Sequence, residues 1–229
     1  MNFKTRFTNA LESVNPIAVM RRSNMRKRLL NRDMTLLIPN CAGGHIFHDL
    51  GLRFMSPTIN LMMYQYDFIE FVLHLDEYLS CELQFYKHEE YDFPCAKLAP
   101  ESLREISIHF THYESEDEAK EKWYSRSNRI NKENMFVCMS ERDGITKEDI
   151  KRLSSLDVKG IVVFTCNNYE DIPYQCFVPK YANDNEVGNI LRRRYFDDSK
   201  EYEDHFDFVG WFNEADGSPY NVSKFVKGK

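Results

Sequence analysis

No apolar run in this chain approaches the roughly 18 residues that a membrane-spanning helix needs, so no transmembrane segment is expected. The first residues also lack the central apolar stretch of a secretion signal, because Arg6, Glu12, Arg21 and Arg22 interrupt it. The six cysteines (Cys41, Cys81, Cys95, Cys138, Cys166, Cys176) contain no C-x-x-C pair and no regular spacing. A structural zinc site or a disulfide framework is therefore not expected, and free buried thiols in a reducing cytoplasm fit best. Neither G-x-G-x-x-G nor Gly-Lys-Ser/Thr occurs, which removes the common phosphate loops. An Asp-x-Asp element at a convincing strand end is missing too: Asp197-Asp198 and residues 204–207 sit in polar, irregular sequence. Internal repeats, low-complexity tracts and Pro/Gly/Ser linkers are absent as well.

What is present is an ordinary globular composition, with 42% hydrophobic and 29% charged residues, enough to bury a full core. Aromatics are plentiful, with 17 Phe and 13 Tyr, and read as a bulky core ahead of a sugar-stacking surface. The net charge of −6 is unevenly spread. Residues 1–33 carry Lys4, Arg6, Arg21, Arg22, Arg26, Lys27, Arg28 and Arg32 against Glu12 and Asp33, a balance of +6 that leaves −12 on the remainder. An acidic body argues against nucleic acid as a partner. The basic arm suits either a solvated edge helix or peripheral contact with an anionic membrane, such as the inner face of a cell membrane.

Three regions follow. Residues 1–33 form a basic helical arm, and residues 34–229 form one α/β domain whose portion from about 167 is polar, aromatic and irregular. Between 34 and 166, strand-like and helix-like stretches alternate. The expected fold is a layered α/β protein, its sheet mostly parallel with helices on both faces. Expected strands are 34–39, 83–86, 106–112, 135–139 and 161–165, with an extended run at 59–64. Expected helices are 44–50, one from Asp67 to Leu79, one from a Ser115-x-x-Glu118 capping box to about Ile130, and 146–156.

Candidate chemistry gathers at three strand ends. The first is the turn Asn40-Cys41-Ala42-Gly43-Gly44-His45. Its glycines permit unusual backbone geometry and close approach of a ligand, and a helix starting there would present free N–H groups to an anion. Cys41 at that helix start is a candidate nucleophile with His45 or His48 as its base. The second is His112, a candidate general base at the end of a strand. The helix that follows places Ala119, Trp123, Arg126 and Ile130 on one stripe, so that Arg126 faces inward and requires a carboxylate of the protein or an anionic ligand. Arg129 flanks it. The third is the cluster Ser140-Glu141-Arg142-Asp143-Gly144. If all three strands are parallel neighbours, their ends line one edge.

Several motifs together resemble the bacterial family known as domain of unknown function 1919. They are Asn40-Cys41-Ala42-Gly43-Gly44, Leu50-Gly51-Leu52-Arg53-Phe54, Ser56-Pro57-Thr58-Ile59-Asn60, Phe110-Thr111-His112-Tyr113 and Lys122-Trp123-Tyr124-Ser125-Arg126-Ser127-Asn128-Arg129-Ile130-Asn131. The resemblance runs from about Arg32 toward the C-terminus. It implies an α/β protein of exopolysaccharide or capsule biosynthesis and carries over no catalytic residue. On that basis the leading expectation is a transferase of a glycosyl or related group, using an activated sugar donor such as a sugar nucleotide and no further cofactor or metal. In it, His112 is the base, and Asn40, Gly43, Gly44, His45, Trp123, Arg126, Arg129, Ser140 and Arg142 bind the ligand. Alternatives are a cysteine-dependent acyl transferase or hydrolase using Cys41 with His45 or His48, and a non-catalytic carbohydrate- or partner-binding accessory protein.

Overall fold

A computed structural model describes residues 15–217 and 220–228. In chain order its strands are β1 (Thr35–Leu37), β2 (Gln84–Tyr86), β3 (Cys95–Leu98), β4 (Ile106–His109), β5 (Met135–Ser140), β6 (Gly160–Thr165) and β7 (Gln175–Phe177). Its helices are α1 (Pro16–Arg28), α2 (Ala42–Leu50), α3 (Gln65–Leu73), α4 (Leu75–Leu79), α5 (Glu116–Ser127), α6 (Lys147–Arg152), α7 (Tyr202–His205) and α8 (Phe208–Glu214).

The parallel sheet runs β1-β5-β6-β7, with Leu37 opposite Val137 and Val137 opposite Ile161. Every residue of β5 and β6 is buried, as a parallel strand covered on both faces requires. Alternation along β5 sends Phe136 onto the indole of Trp211 and the ring of Phe212 in α8, while Met135 faces Val72 and Leu75 of α3 and α4. The mixed α/β architecture is thus as expected.

Two expected strands belong elsewhere. Residues 84–86 and 106–109 do not join the parallel sheet; with β3 they make a separate antiparallel sheet, β2-β3-β4. The expected extended run at 59–64 opens in a turn at Ile59 and Asn60 and forms no strand, and its later part staples the two sheets together. Met62 exchanges backbone hydrogen bonds with His109 at 2.8 and 2.9 Å, and Met63 N donates to Pro39 O at 2.9 Å. The end of β1 and the end of β4 are therefore neighbours through this one segment.

Local capping explains the helix starts. Ser115 Oγ accepts from Glu118 N, but the Glu118 carboxylate turns to Glu114 N, so the box expected there is displaced by one residue. The reciprocal box forms instead at Thr146 and Asp149. Of the basic arm, the described residues 15–33 hold the packed helix α1, and their arginines are engaged. Arg21 pairs with Asp49 (2.5 Å) and Glu203 (2.7 Å), and Arg22 with Asp198 (2.9 Å). Arg28 pairs with Asp207 at 2.6 Å, Arg32 donates to Arg26 O, and Arg26 donates to the His48 and Asp49 carbonyls at the C-terminal end of α2. The stretch after 167 is less irregular than its sequence implies. It supplies β7, α7, α8 and an aromatic cluster of Phe206, Phe208, Trp211, Phe212 and Phe225 that covers one face of the parallel sheet.

Candidate functional site

The strand-to-helix turn after β1 is built by Asn40, whose Oδ1 accepts from Ala42 N at 2.9 Å and closes the loop over Cys41. Cys41 is the N-cap of α2 and is only partly buried. Its Sγ lies 3.1 Å from His112 Nε2 and 3.9 Å from Thr111 Oγ1. In the tautomer with Nε2 unprotonated, the thiol donates to the imidazole. Burial pushes the Cys41 thiol up, and its hydrogen bond with Thr111 pulls it only part of the way back. In that tautomer the pair has the arrangement in which the base takes the proton as the sulfur attacks.

The histidine at the thiol is thus His112, where the sequence reading paired Cys41 with His45 or His48. Both of those lie on the exposed side of α2, and His48 Nδ1 sits 3.4 Å from Asp49 Oδ1. Gly43 and Gly44 are small for a packing reason. A Cβ on Gly43 would lie 2.5 Å from Ile38 Cγ2 and 3.2 Å from Ile59 Cδ1, and one on Gly44 would collide with Asn60 Oδ1. Neighbouring chain, rather than space for a ligand, fills the position of each missing side chain.

The two arginines are occupied. Arg126 is 8% exposed and faces inward as expected, but its partners are neutral: Nη1 donates to Ile59 O (3.1 Å) and Tyr113 Oη (2.5 Å). Phe54 and Tyr113 present their rings to the guanidinium at 5.2 and 5.8 Å. Arg129 donates to Ser125 O, Ser125 Oγ and Phe54 O at 2.8, 2.6 and 2.9 Å. Trp123 is core, packed on Phe71 and Phe110, with its buried Nε1 unpartnered.

The third strand end makes no hydrogen bond to the thiol or to His112 among those of the described residues. Ser140 is buried and takes Gln65 Oε1 on its backbone N–H, and Arg142 lies 3.6 Å from Glu186. Between Asn40, Ala42 and Ser140 at the carboxyl edge of the parallel sheet, Ile190, Tyr202 and Phe208 leave a cavity of only about 10 Å³. At most a single water fits there. The strand order advances one way without a reversal, so the crevice of a switch point does not open. A much larger cleft of about 690 Å³ lies at the opposite edge, beside Met135 and Lys159, and none of the candidate site residues lines it.

Sequence reasoning missed the role of Glu141. Burial works against its ionisation, yet hydrogen bonds from Tyr169, Asn167 and Cys166 hold its carboxyl below the ordinary value. It knits the ends of β5 and β6 together. Among the described residues no three His, Cys, Asp or Glu side chains are grouped to hold a metal ion.

A family model described as a domain of unknown function, DUF1919, matches residues 14–213. The chain belongs to this family. A Haemophilus influenzae protein described as uncharacterized is 37% identical over 191 residues, which span 83% of this chain and 89% of the relative. The DUF1919 match starts ahead of α1, well before the Arg32 limit of the sequence resemblance, and so takes in the basic helix. The motifs that carried the resemblance also converge in space. Asn40–Gly44 packing on Ile59 and Asn60, Thr111 and His112 at the thiol, and Arg126 on Ile59 and Tyr113 form one continuous contact network around Cys41.

Proposed function

We propose that this DUF1919 protein is an enzyme that transfers or hydrolyses an acyl group through a thioester on Cys41, with His112 as its base. The observation that carries the reading is the 3.1 Å approach of His112 Nε2 to Cys41 Sγ at an accessible helix start. In the first half-reaction the thiol proton passes to His112 Nε2 while sulfur bonds to the carbonyl carbon of the acyl donor. Collapse of the tetrahedral adduct breaks the bond to the leaving group, which departs with the proton held on His112. In the second half-reaction an acceptor hydroxyl or water gives its proton to His112 and attacks the thioester. The sulfur then leaves and recovers that proton. The first turn of α2 places the positive end of a helix dipole beside the sulfur, the field a developing oxyanion needs.

The saccharide substrate suggested by the family resemblance fits this reading as acceptor, because its hydroxyls form oxygen esters. Glycosyl transfer from a sugar nucleotide is less well supported. It assigned the donor's phosphates to Arg126 and Arg129, whose guanidiniums are engaged by carbonyls, a hydroxyl and rings. A reducing compartment such as the cytoplasm belongs to the same reading, since Cys41 must remain a thiol, and no described helix is long and apolar enough to cross a membrane. The described part of the basic arm gives little support to contact with an anionic membrane, because Arg21, Arg22, Arg26, Arg28 and Arg32 already donate within the molecule; Lys4 and Arg6 lie outside the described residues.

The test is incubation of the intact protein with a chromogenic ester such as p-nitrophenyl acetate, followed by mass spectrometry of the quenched protein. Acylation of Cys41 that is lost in Cys41→Ser and slowed about 10²- to 10⁴-fold in His112→Ala is expected. Equal acylation of the other thiols, or an unchanged rate in His112→Ala, would overturn the proposal in favour of a binding protein.

A further inference from the structure

We propose that Arg126 is a positioning residue that sets the reach of His112 to Cys41; this rests on the acyl-transfer reading of that pair. A single guanidinium nitrogen of Arg126 donates to both Ile59 O and Tyr113 Oη, and the Tyr113 hydroxyl donates to the same Ile59 carbonyl at 2.8 Å. Three groups from three parts of the chain are thereby closed into one buried triangle. Tyr113 directly follows His112, so its phenol is the anchor of the turn that presents the imidazole. Ile59 and Asn60 are the residues against which Gly43 and Gly44 are packed, immediately after Cys41. The triangle therefore ties the carrier of the base to the bed on which the carrier of the nucleophile rests.

A guanidinium is an expensive choice for a place that only needs filling. It is 8% exposed, and the acceptors named above are neutral, so no carboxylate among them offsets the cost of burying it. What it supplies is directed donors at fixed angles, which an apolar side chain lacks and a lysine offers only as a point charge. The requirement at the other end is narrow. Proton transfer needs direct hydrogen-bond contact, and the thiol–imidazole distance of 3.1 Å is a close approach for a sulfur donor. A small rotation of the His112 turn would break it, while the core beneath Trp123 and Phe110 would stay packed.

The experiment uses the full chain and iodoacetamide, reading the alkylation rate of Cys41 by mass spectrometry from mildly acidic to alkaline pH, with thermal stability measured in parallel. In this reaction a sulfur–carbon bond forms, iodide leaves, and the thiol proton goes to His112. Arg126→Met and Tyr113→Phe are expected to slow alkylation near neutral pH by about tenfold to a hundredfold. The deficit should vanish at alkaline pH, where the thiolate forms without a base. Arg126→Lys should recover part of the rate. Trp211→Phe, a core change remote from the pair, should lower stability and leave the pH profile alone. Profiles of Arg126→Met and Tyr113→Phe that coincide with the wild type would overturn the proposal. If His112→Ala also coincides with the wild type, the acyl-transfer reading falls and this one with it. A slow His112→Ala beside unaffected Arg126 and Tyr113 variants refutes the positioning role alone. Should Arg126→Met fail to fold, Tyr113→Phe decides the matter.

Discussion

Replacing Gly43 or Gly44 by alanine sets local preference directly against packing. Both glycines lie in the first turn of α2, where helix propensity alone favours alanine by about 0.8–1.0 kcal/mol. If glycine served only to let a ligand approach, each substitution would stabilise the protein and harm binding alone. Packing gives the opposite sign. A methyl at Gly43 would meet Ile38 Cγ2 at 2.5 Å and Ile59 Cδ1 at 3.2 Å, and both side chains are themselves buried and cannot swing away. Overpacking costs about 1–3 kcal/mol, and a 2.5 Å approach to a buried methyl belongs in the upper half of that range, so a net loss of about 1–2 kcal/mol remains for Gly43→Ala after the propensity gain. For a chain of this size that lowers Tm by about 2–8 °C. Gly44→Ala meets Asn60 Oδ1, the end of a movable side chain on a residue with φ +61°. It should be milder, and it should be relieved by Asn60→Gly, which removes the obstacle and suits the left-handed backbone. Differential scanning calorimetry of the two single variants and of both pairs with Asn60→Gly measures this. A raised Tm for Gly43→Ala, or rescue of Gly43→Ala by Asn60→Gly, would refute the packing argument.

Three further outcomes are expected. Gly160→Ala would drive a methyl to within 2.7–2.9 Å of the Trp211 indole, which Phe136, Phe206 and Phe212 hold in place. It should destabilise by about 1–3 kcal/mol in urea unfolding, with relief by Trp211→Phe in a double-mutant cycle. Asp49→Asn removes the carboxylate from Arg21 and Arg22, and should cost about 3–5 kcal/mol and expose α1 to limited proteolysis; unchanged cleavage would show that α1 is held without it. His109 is buried with Nε2 unpartnered, and burial followed by the nearby His88 lowers its pKa below the ordinary 6.5. The unfolded chain then binds a proton that the folded one refuses, so stability is full above 6.5 and falls as pH drops below it toward the depressed folded value. The slope is about 1.4 kcal/mol per pH unit for one such group. His205 shifts in the same direction, again through burial first. His109→Phe should flatten the acid limb by one proton in pH-dependent urea titrations, and an unaltered slope would exclude His109 as a contributor.

Much of the framework was legible from residue order. The short apolar runs at 135–139 and 161–165 read as strands and became β5 and β6, and the stripe through Ala119, Trp123 and Arg126 did turn Arg126 inward. Such patterns are local: a period of two or of 3.6 reports which side of an element is buried. The partner on that side is outside their reach. Hence an anion is expected for Arg126 where a carbonyl and a phenol stand, and a strand over 106–112 is expected in a mostly parallel sheet although β4 ends at His109 and pairs antiparallel with β3. The C-terminal aromatics looked irregular because they lie on short helices and turns that complete a face of the sheet only after folding.

By itself, then, the sequence determined that a cysteine would sit in a strand-to-helix turn and that Arg126 would be buried; His112, expected at the end of a strand, lies in the turn after β4. Tertiary structure alone decided which histidine reaches the thiol. His45 and His48 are neighbours of Cys41 in the chain, but α2 carries them to its exposed side. His112 is 71 residues away and arrives because Met62 and Met63 pair with the ends of both sheets, bringing the turns after β1 and β4 within 3.1 Å. That pairing depends on backbone hydrogen bonds, which any residue but proline can donate, and so leaves no mark in the identity of the side chains.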